Sequence, residues 1–303
     1  MSQLSRAAVV AARTLVIALL VCRQLVASEA STDNRSKVGQ HTLAFVSSKD
    51  GTRIAVECAG RGPTLLFVHG GVGDRTRWTP LFPLLASRFT ACAMDRRGHG
   101  ASGDSPEYSL SKEAEDVTAV VKSRPGPVVV FGHSYGAVAA LEATFLTDRI
   151  SKVMLYEPPL HEPVDKSLAA AARFDEMVRH GELEQALITF QTEVVQQSTA
   201  EIARMKTRPT WPALVASMRV HPRQMRALST YRFDAVRMKS VAIPALLLLG
   251  ADTASPYAKQ SIRALRESLA NPTLMVLDRQ EHNAMDTGRD ALVDAIIRFT
   301  AGH

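Results

Sequence analysis

The 303-residue chain has only three cysteines, and Cys22 lies near the N-terminus. Cys58 and Cys92 are too few for a disulfide framework. Each falls in a strand-like run, so both read as packed thiols, with a single bridge open only in an oxidising compartment. No uninterrupted apolar run approaches the roughly 18 residues of a spanning helix: the longest N-terminal run, TLVIALLVC, is bounded by Arg13 and Arg23. No cysteine–histidine cluster has zinc-ligand spacing, and the glycine-rich HGGVGD lacks the lysine of a phosphate loop. Neither a metal nor a cofactor is therefore expected. The most basic segment lacks interleaved aromatics, which argues against nucleic acid as a partner.

What is present is ordinary globular composition, 46% hydrophobic and 22% charged with a formal charge of +6, enough for one large core. Residues 1–30 differ from the rest. Arg6 and Arg13 precede the apolar run, and VASEAS follows with small residues, the pattern of a secretory signal peptide cleaved near Ala27 or Ala30. The alternative is a leader outside the fold in a chain that stays in the cytoplasm. The first reading places the protein in the periplasm or outside the cell.

From residue 42 onward, strand-like and helix-like runs alternate. TLAFVSS and TRIAVECAG flank KDG, a hairpin signal. TLLFVHGG, TACAMDRRGHG, VVVFGHSYG, KVMLYEPP and PALLLLGAD are short apolar runs that each end in a polar or glycine-rich loop, as strands buried on both faces do. Helical spacing fills the gaps between them. This predicts an α/β fold, a mostly parallel twisted sheet with helices on both faces. The segment 160–235 has helix-forming composition and no strand, so it reads as a helical cap inserted between core segments 31–159 and 236–303.

In such sheets the chemistry sits at the carboxyl ends of the strands. There the sequence places Gly132-His133-Ser134-Tyr135-Gly136, a G-x-S-x-G motif between a β-rich run and a helical run. Its glycines leave room for a tight turn that lifts the Ser134 hydroxyl into the open. A serine hydroxyl needs a base, and the base needs a carboxylate to orient it. Asp252 follows one later strand and His282 follows the next.

On these residues, and on the HGG that opens at His69, the chain resembles the α/β-hydrolase family from about Thr42 to Thr300. The resemblance implies a small-molecule substrate, with Ser134 as nucleophile, His282 as base and Asp252 as acid. It implies an oxyanion hole made by the backbone NH groups of Gly71 and Tyr135. Some members carry the acid at the end of the preceding strand, which makes Glu157 the alternative. Asp95, Arg97 and His99 match a loop-holding motif.

The expected reaction is hydrolysis of a carboxylic ester, thioester or lactone through an acyl-enzyme. Carbon–carbon bond hydrolysis and cofactor-free haloperoxidase chemistry use the same triad in related folds, and a non-catalytic ligand-binding member is the third reading. Five methionines lie in or beside the cap, which suits either an adaptable lining or ordinary packing. From Arg204 to Lys239 the only acidic residue is Asp234. That run reads as a solvated helix face, or as a basic lid that steers an anionic substrate or leans on an anionic membrane surface.

Overall fold

The computed structural model describes residues 41–161 and 164–302. The expected leader and its expected cleavage site lie outside these residues. The sheet begins with the hairpin β1 (Thr42–Ser47) and β2 (Arg53–Gly60), followed by β3 (Thr64–Val68). A short helix α1 (Phe82–Leu85) leads to β4 (Thr90–Met94), α2 (Leu110–Lys122), β5 (Val128–His133), α3 (Tyr135–Ala143) and β6 (Ile150–Tyr156).

Helices then run without a strand through α4 (Val164–Arg179), α5 (Leu183–Thr189), α6 (Thr199–Lys206), α7 (Trp211–Ser217), α8 (His221–Ser229) and α9 (Ala235–Met238). The chain returns to the sheet with β7 (Ala245–Gly250), α10 (Pro256–Ser268) and β8 (Pro272–Leu277). It ends in α11 (Ala284–Thr287) and α12 (Arg289–Ala301).

Among the described residues, eight strands stand in the order β1-β2-β4-β3-β5-β6-β7-β8. Only the β1/β2 and β2/β4 pairs are antiparallel, and the rest of the sheet is parallel. The expected architecture is therefore the one observed. Alternation along each strand builds two cores. Leu66 and Val68 face the layer that holds α2, α3 and α10, while Leu65 and Phe67 face Trp78, Phe82 and α12. Side chains of this size contribute roughly 1.5–3 kcal/mol each when fully buried.

A third apolar cluster lies within the inserted helices, around Phe174, Leu187, Met205, Leu214, Met218 and Met225. The cap methionines are thus mainly core residues, although Met225 also lines the cleft described below.

The packed-thiol reading is corrected here. Register between β2 and β4 sets Cys58 directly opposite Cys92, and the two form a disulfide. They stand 34 positions apart in sequence; only the strand order brings them together.

Candidate active site

Strand β5 delivers Ser134 into a turn that few side chains tolerate. Its backbone sits at φ 51°, ψ −124°, outside the regions open to most L-residues. The NH of Ser134 donates to the Tyr156 carbonyl at 2.8 Å, and its own carbonyl accepts from Ala137 at 2.9 Å. The flanking glycines are steric requirements. A Cβ on Gly136 would lie 2.2 Å from the His69 carbonyl oxygen, and one on Gly132 would lie 2.5 Å from the Ala137 Cα. The turn is tight because helix α3 must start directly against β3.

The carboxylate facing His282 is Glu157. It also has positive φ, 47°, which turns its side chain from the end of β6 toward the histidine loop. His282 Nδ1 donates to Glu157 Oε2 at 2.6 Å. The other carboxylate oxygen accepts from the Gly250 NH at 2.8 Å and from the Thr253 hydroxyl at 2.5 Å. Glu157 is 1% exposed, so these donors replace the water it loses. They hold the carboxylate in one orientation.

Asp252, the expected acid, is exposed, and its NH donates to the Gln280 carbonyl. The assignment is therefore corrected. The loop after β7 contributes the Gly250 and Thr253 donors that fix Glu157, and the carboxylate itself comes from one strand earlier.

Ser134, Glu157, His282, Gly71 and Tyr135 all line one open cleft. Tyr135 is the first residue of α3, where the helix leaves its NH without an intrahelical acceptor. Phe190, Val194, Val195, Met225 and Leu228 from the inserted helices form the opposite wall. Among the described residues lining this cleft there is no lysine or arginine.

Three residues of the site carried no sequence signal. Arg96 is fully buried and makes two hydrogen bonds to Glu113, at 2.7 and 2.6 Å. The same guanidinium donates to the Gly70 carbonyl at 2.6 Å and to Gln224 Oε1 at 2.9 Å, and it stacks 4.2 Å above the Tyr135 ring. One cation thus ties the HGG loop, the elbow helix and the cap together. Gln224 Nε2 in turn donates to His99 Nε2 at 2.6 Å, and His221 Nδ1 donates to the Gly71 carbonyl at 3.4 Å.

The histidines around this cation are neutral. Burial, reinforced by the Arg96 charge, holds His69 and His99 well below the usual imidazole range, and burial pushes His221 down to about 4. His133 is likewise held down by burial, with its neighbour His282 adding to the effect. Its Nε2 donates to the His282 carbonyl at 2.9 Å. It lies beside Ser134 in the chain and packs against His282, with ring centroids 4.6 Å apart.

The loop-holding reading of Asp95, Arg97 and His99 matches the geometry. Asp95 accepts from the NH groups of Arg75 and Ala101, each at 2.7 Å. Arg97 is paired with Asp116 at 2.7 Å, and His99 Nδ1 donates to the Gly73 carbonyl at 2.9 Å.

Comparison with known proteins agrees with this fold. The sequence profile of the Alpha/beta hydrolase family matches residues 65–295. The crystal structure of an alpha/beta hydrolase from Sphaerobacter thermophilus superposes with a TM-score of 0.74 at 31% identity, covering 85% of this chain and 100% of that one. An esterase from Exiguobacterium antarcticum gives a TM-score of 0.71 at 18% identity, over 86% and 100%.

Among curated relatives, the probable oxidoreductase EphD of Mycobacterium tuberculosis is 38% identical over 110 residues, 34% of this chain and 19% of that protein. The 2-(acetamidomethylene)succinate hydrolase of Mesorhizobium japonicum is 40% identical over 81 residues, 26% of this chain and 29% of that protein. The matched segments thus span less than a third of either relative.

Proposed function

Because the chain belongs to the alpha/beta hydrolase family, we propose that it is a serine hydrolase that cleaves a carboxylic ester, thioester or lactone through an acyl-enzyme. One observation carries this reading: the 2.6 Å contact between His282 Nδ1 and the buried Glu157 carboxylate, in a cleft that both share with Ser134. With Nδ1–H committed to Glu157, the Nε2 lone pair is left to take the Ser134 proton. Serine then attacks the carbonyl carbon, and the NH groups of Gly71 and Tyr135 receive the developing oxyanion. The leaving group takes the proton from His282 as the tetrahedral intermediate collapses. Glu157 stabilises the imidazolium throughout.

The apolar cap wall, with no lysine or arginine in the cleft lining, supports a neutral acyl group over the anionic one that the basic run suggested. The Cys58–Cys92 disulfide supports export, since such bridges persist mainly in oxidising compartments.

The test is intact mass after a fluorophosphonate probe, paired with turnover of p-nitrophenyl butyrate. Wild type is expected to take one adduct and Ser134→Ala none. Glu157→Gln should lose on the order of 10⁴-fold in kcat, as when the orienting carboxylate of a triad becomes an amide. Asp252→Asn should stay within about twofold, because Asp252 faces solvent. Reversal of those two results would return the acid to Asp252, and an unlabelled, folded wild type would reject the serine mechanism.

A further inference from the structure

The mechanism above asks the NH of Gly71 to receive an oxyanion, and a glycine has no side chain with which to aim it. Its direction is set by the peptide it belongs to. In a trans peptide the C=O and the N–H point opposite ways in one rigid plane, so whatever holds the Gly70 carbonyl also aims the Gly71 NH. Two donors hold that carbonyl, Arg96 Nη1 at 2.6 Å and His69 Nδ1 at 2.9 Å. The backbone NH of Arg96 donates to His69 Nε2 at 3.1 Å, which leaves the single proton of this neutral ring on Nδ1. Arg96 therefore sets both donors, one through its guanidinium and the other through the tautomer of His69.

The opposite edge of the same peptide is free for a ligand. Gly70 stands so close to the nucleophile that a Cβ on it would lie 3.2 Å from Ser134 Cβ. Gly71 lines the cleft beside Ser134, and among the described residues its NH has no acceptor. The guanidinium cannot wander. Its Nε and Nη2 fork onto Glu113 at 2.7 and 2.6 Å, Nη2 also donates to Gln224 Oε1 at 2.9 Å, and the side chain is fully buried. It lies 4.2 Å from the ring centroid of Tyr135, the residue whose NH is the second expected donor. A charged donor on the Gly70 oxygen also draws electron density along the peptide, which makes the Gly71 NH a stronger donor.

We propose that Arg96 is the positioning residue of the oxyanion hole: it fixes and polarises the Gly70–Gly71 peptide so that the Gly71 NH is aimed before charge develops. This inference rests on the acyl-enzyme reading above. Arg96 is not among the residues that line the cleft, so it acts through the peptide and not on the substrate. A buried ion pair that served packing alone would be replaceable by uncharged side chains without a selective effect on catalysis.

The experiment compares wild type with Arg96→Lys and with the double variant Arg96→Met/Glu113→Gln, which leaves no buried carboxylate unpaired. It reads kcat and KM on p-nitrophenyl butyrate, the urea midpoint, the fluorophosphonate adduct and two inhibition constants. One inhibitor is an alkyl trifluoromethyl ketone, which adds to the serine as a tetrahedral oxyanion; the other is the matching methyl ketone, which binds as a ground-state carbonyl. The double variant should lose about 100-fold in kcat with KM within about threefold, the pattern of one oxyanion donor misaimed. The trifluoromethyl ketone should weaken in the same proportion and the methyl ketone by no more than about threefold. Lysine keeps the charge but cannot span Glu113 and Gly70 as the planar fork does, so Arg96→Lys should fall between, at about tenfold in kcat.

A folded double variant with kcat within about twofold of wild type overturns the proposal. If the double variant does not fold, Arg96→Lys decides, and unchanged kcat with unchanged discrimination between the ketones overturns it. Equal weakening of both ketones also overturns it, because it assigns Arg96 to packing. A folded wild type that takes no fluorophosphonate adduct overturns the serine mechanism and this proposal together, whereas a labelled wild type confines any failure to Arg96.

Discussion

The two walls of the cleft are built by different means. On the sheet side, loops at the ends of β3, β4 and β5 meet with no slack. Backbone approaches backbone at Gly132 and Gly136, and buried ion pairs such as Arg96–Glu113 and Arg97–Asp116 fix the loops that carry Gly70 and His99. On the cap side, an apolar cluster rich in methionine and phenylalanine does the packing, and ion pairs sit at its surface. Under the proposed mechanism, the positions that hold the reacting atoms are over-determined, while the wall across the cleft uses adaptable side chains. The proposal thus puts precision where charge would develop and tolerance where shape must vary.

The largest effect that would sharpen this contrast comes from one methyl group. Gly136→Ala puts a Cβ 2.2 and 2.6 Å from the carbonyl oxygens of His69 and Val68, backbone atoms of the same β3 loop that carries Gly71. Neither can yield without moving the loop that carries Gly71. The expected cost exceeds about 3 kcal/mol, read as a fall in the urea midpoint together with loss of fluorophosphonate labelling. Gly181→Ala, in the turn between α4 and α5, meets open space at φ 78° and should cost only about 1–2 kcal/mol for the left-handed backbone, with labelling intact. Equal costs at the two sites would break the comparison.

How much of this was legible depended on whether the signal was local. The elbow was readable because strand, glycine, serine, glycine and helix are consecutive, and HGG and His282 follow strands that the sequence marks clearly. The acid was not. Glu157 and Asp252 each follow a strand, and β6 and β7 are neighbours, with Tyr156 opposite Leu248. The choice was made by the positive φ at Glu157 and by donors from Gly250 and Thr253, tertiary facts without a local signature. Cys58 and Cys92 were likewise undecidable until β2 was known to pair with β4. Arg96 and Gln224 matter only because a cap helix folds back over a core loop.

A smaller effect separates the walls by pH. His69, His99, His133 and His221 are all buried neutral, with folded-state pKa values below the ordinary 6.5. For a histidine lowered in this way, the unfolded chain binds the proton first. Its stability contribution is fully present above about pH 6.5 and is lost as the pH falls toward the folded value, about 4 for His221. Urea denaturation should therefore show wild type losing stability between pH 7 and about pH 5. His221→Phe should reduce that slope by up to about one proton's worth, roughly 1.4 kcal/mol per pH unit. Three of the four histidines belong to the sheet side, so most of the slope should survive the cap substitution. If it vanished, the acid sensitivity would belong to the cap.

The smallest expected effect concerns the basic run of the cap, which the sequence leaves looking like a steering surface. Arg204, Lys206, Arg208, Arg223, Arg226 and Arg237 each lie within salt-bridge distance of a carboxylate. Apart from Glu201, the acids come from distant stretches: Glu184, Asp286, Asp104, Asp175 and Glu142. Charges counted along the chain looked unopposed because their partners are brought in by folding. A paired surface projects little field beyond a Debye length. Hydrolysis of p-nitrophenyl butyrate and of a p-nitrophenyl ester bearing a carboxylate should therefore change in parallel, within about twofold, from low salt to about 0.5 M. A steep loss confined to the anionic ester would mean that enough of the cap's charge escapes its partners to steer substrate, and the cap would then contribute electrostatic recognition as well as shape.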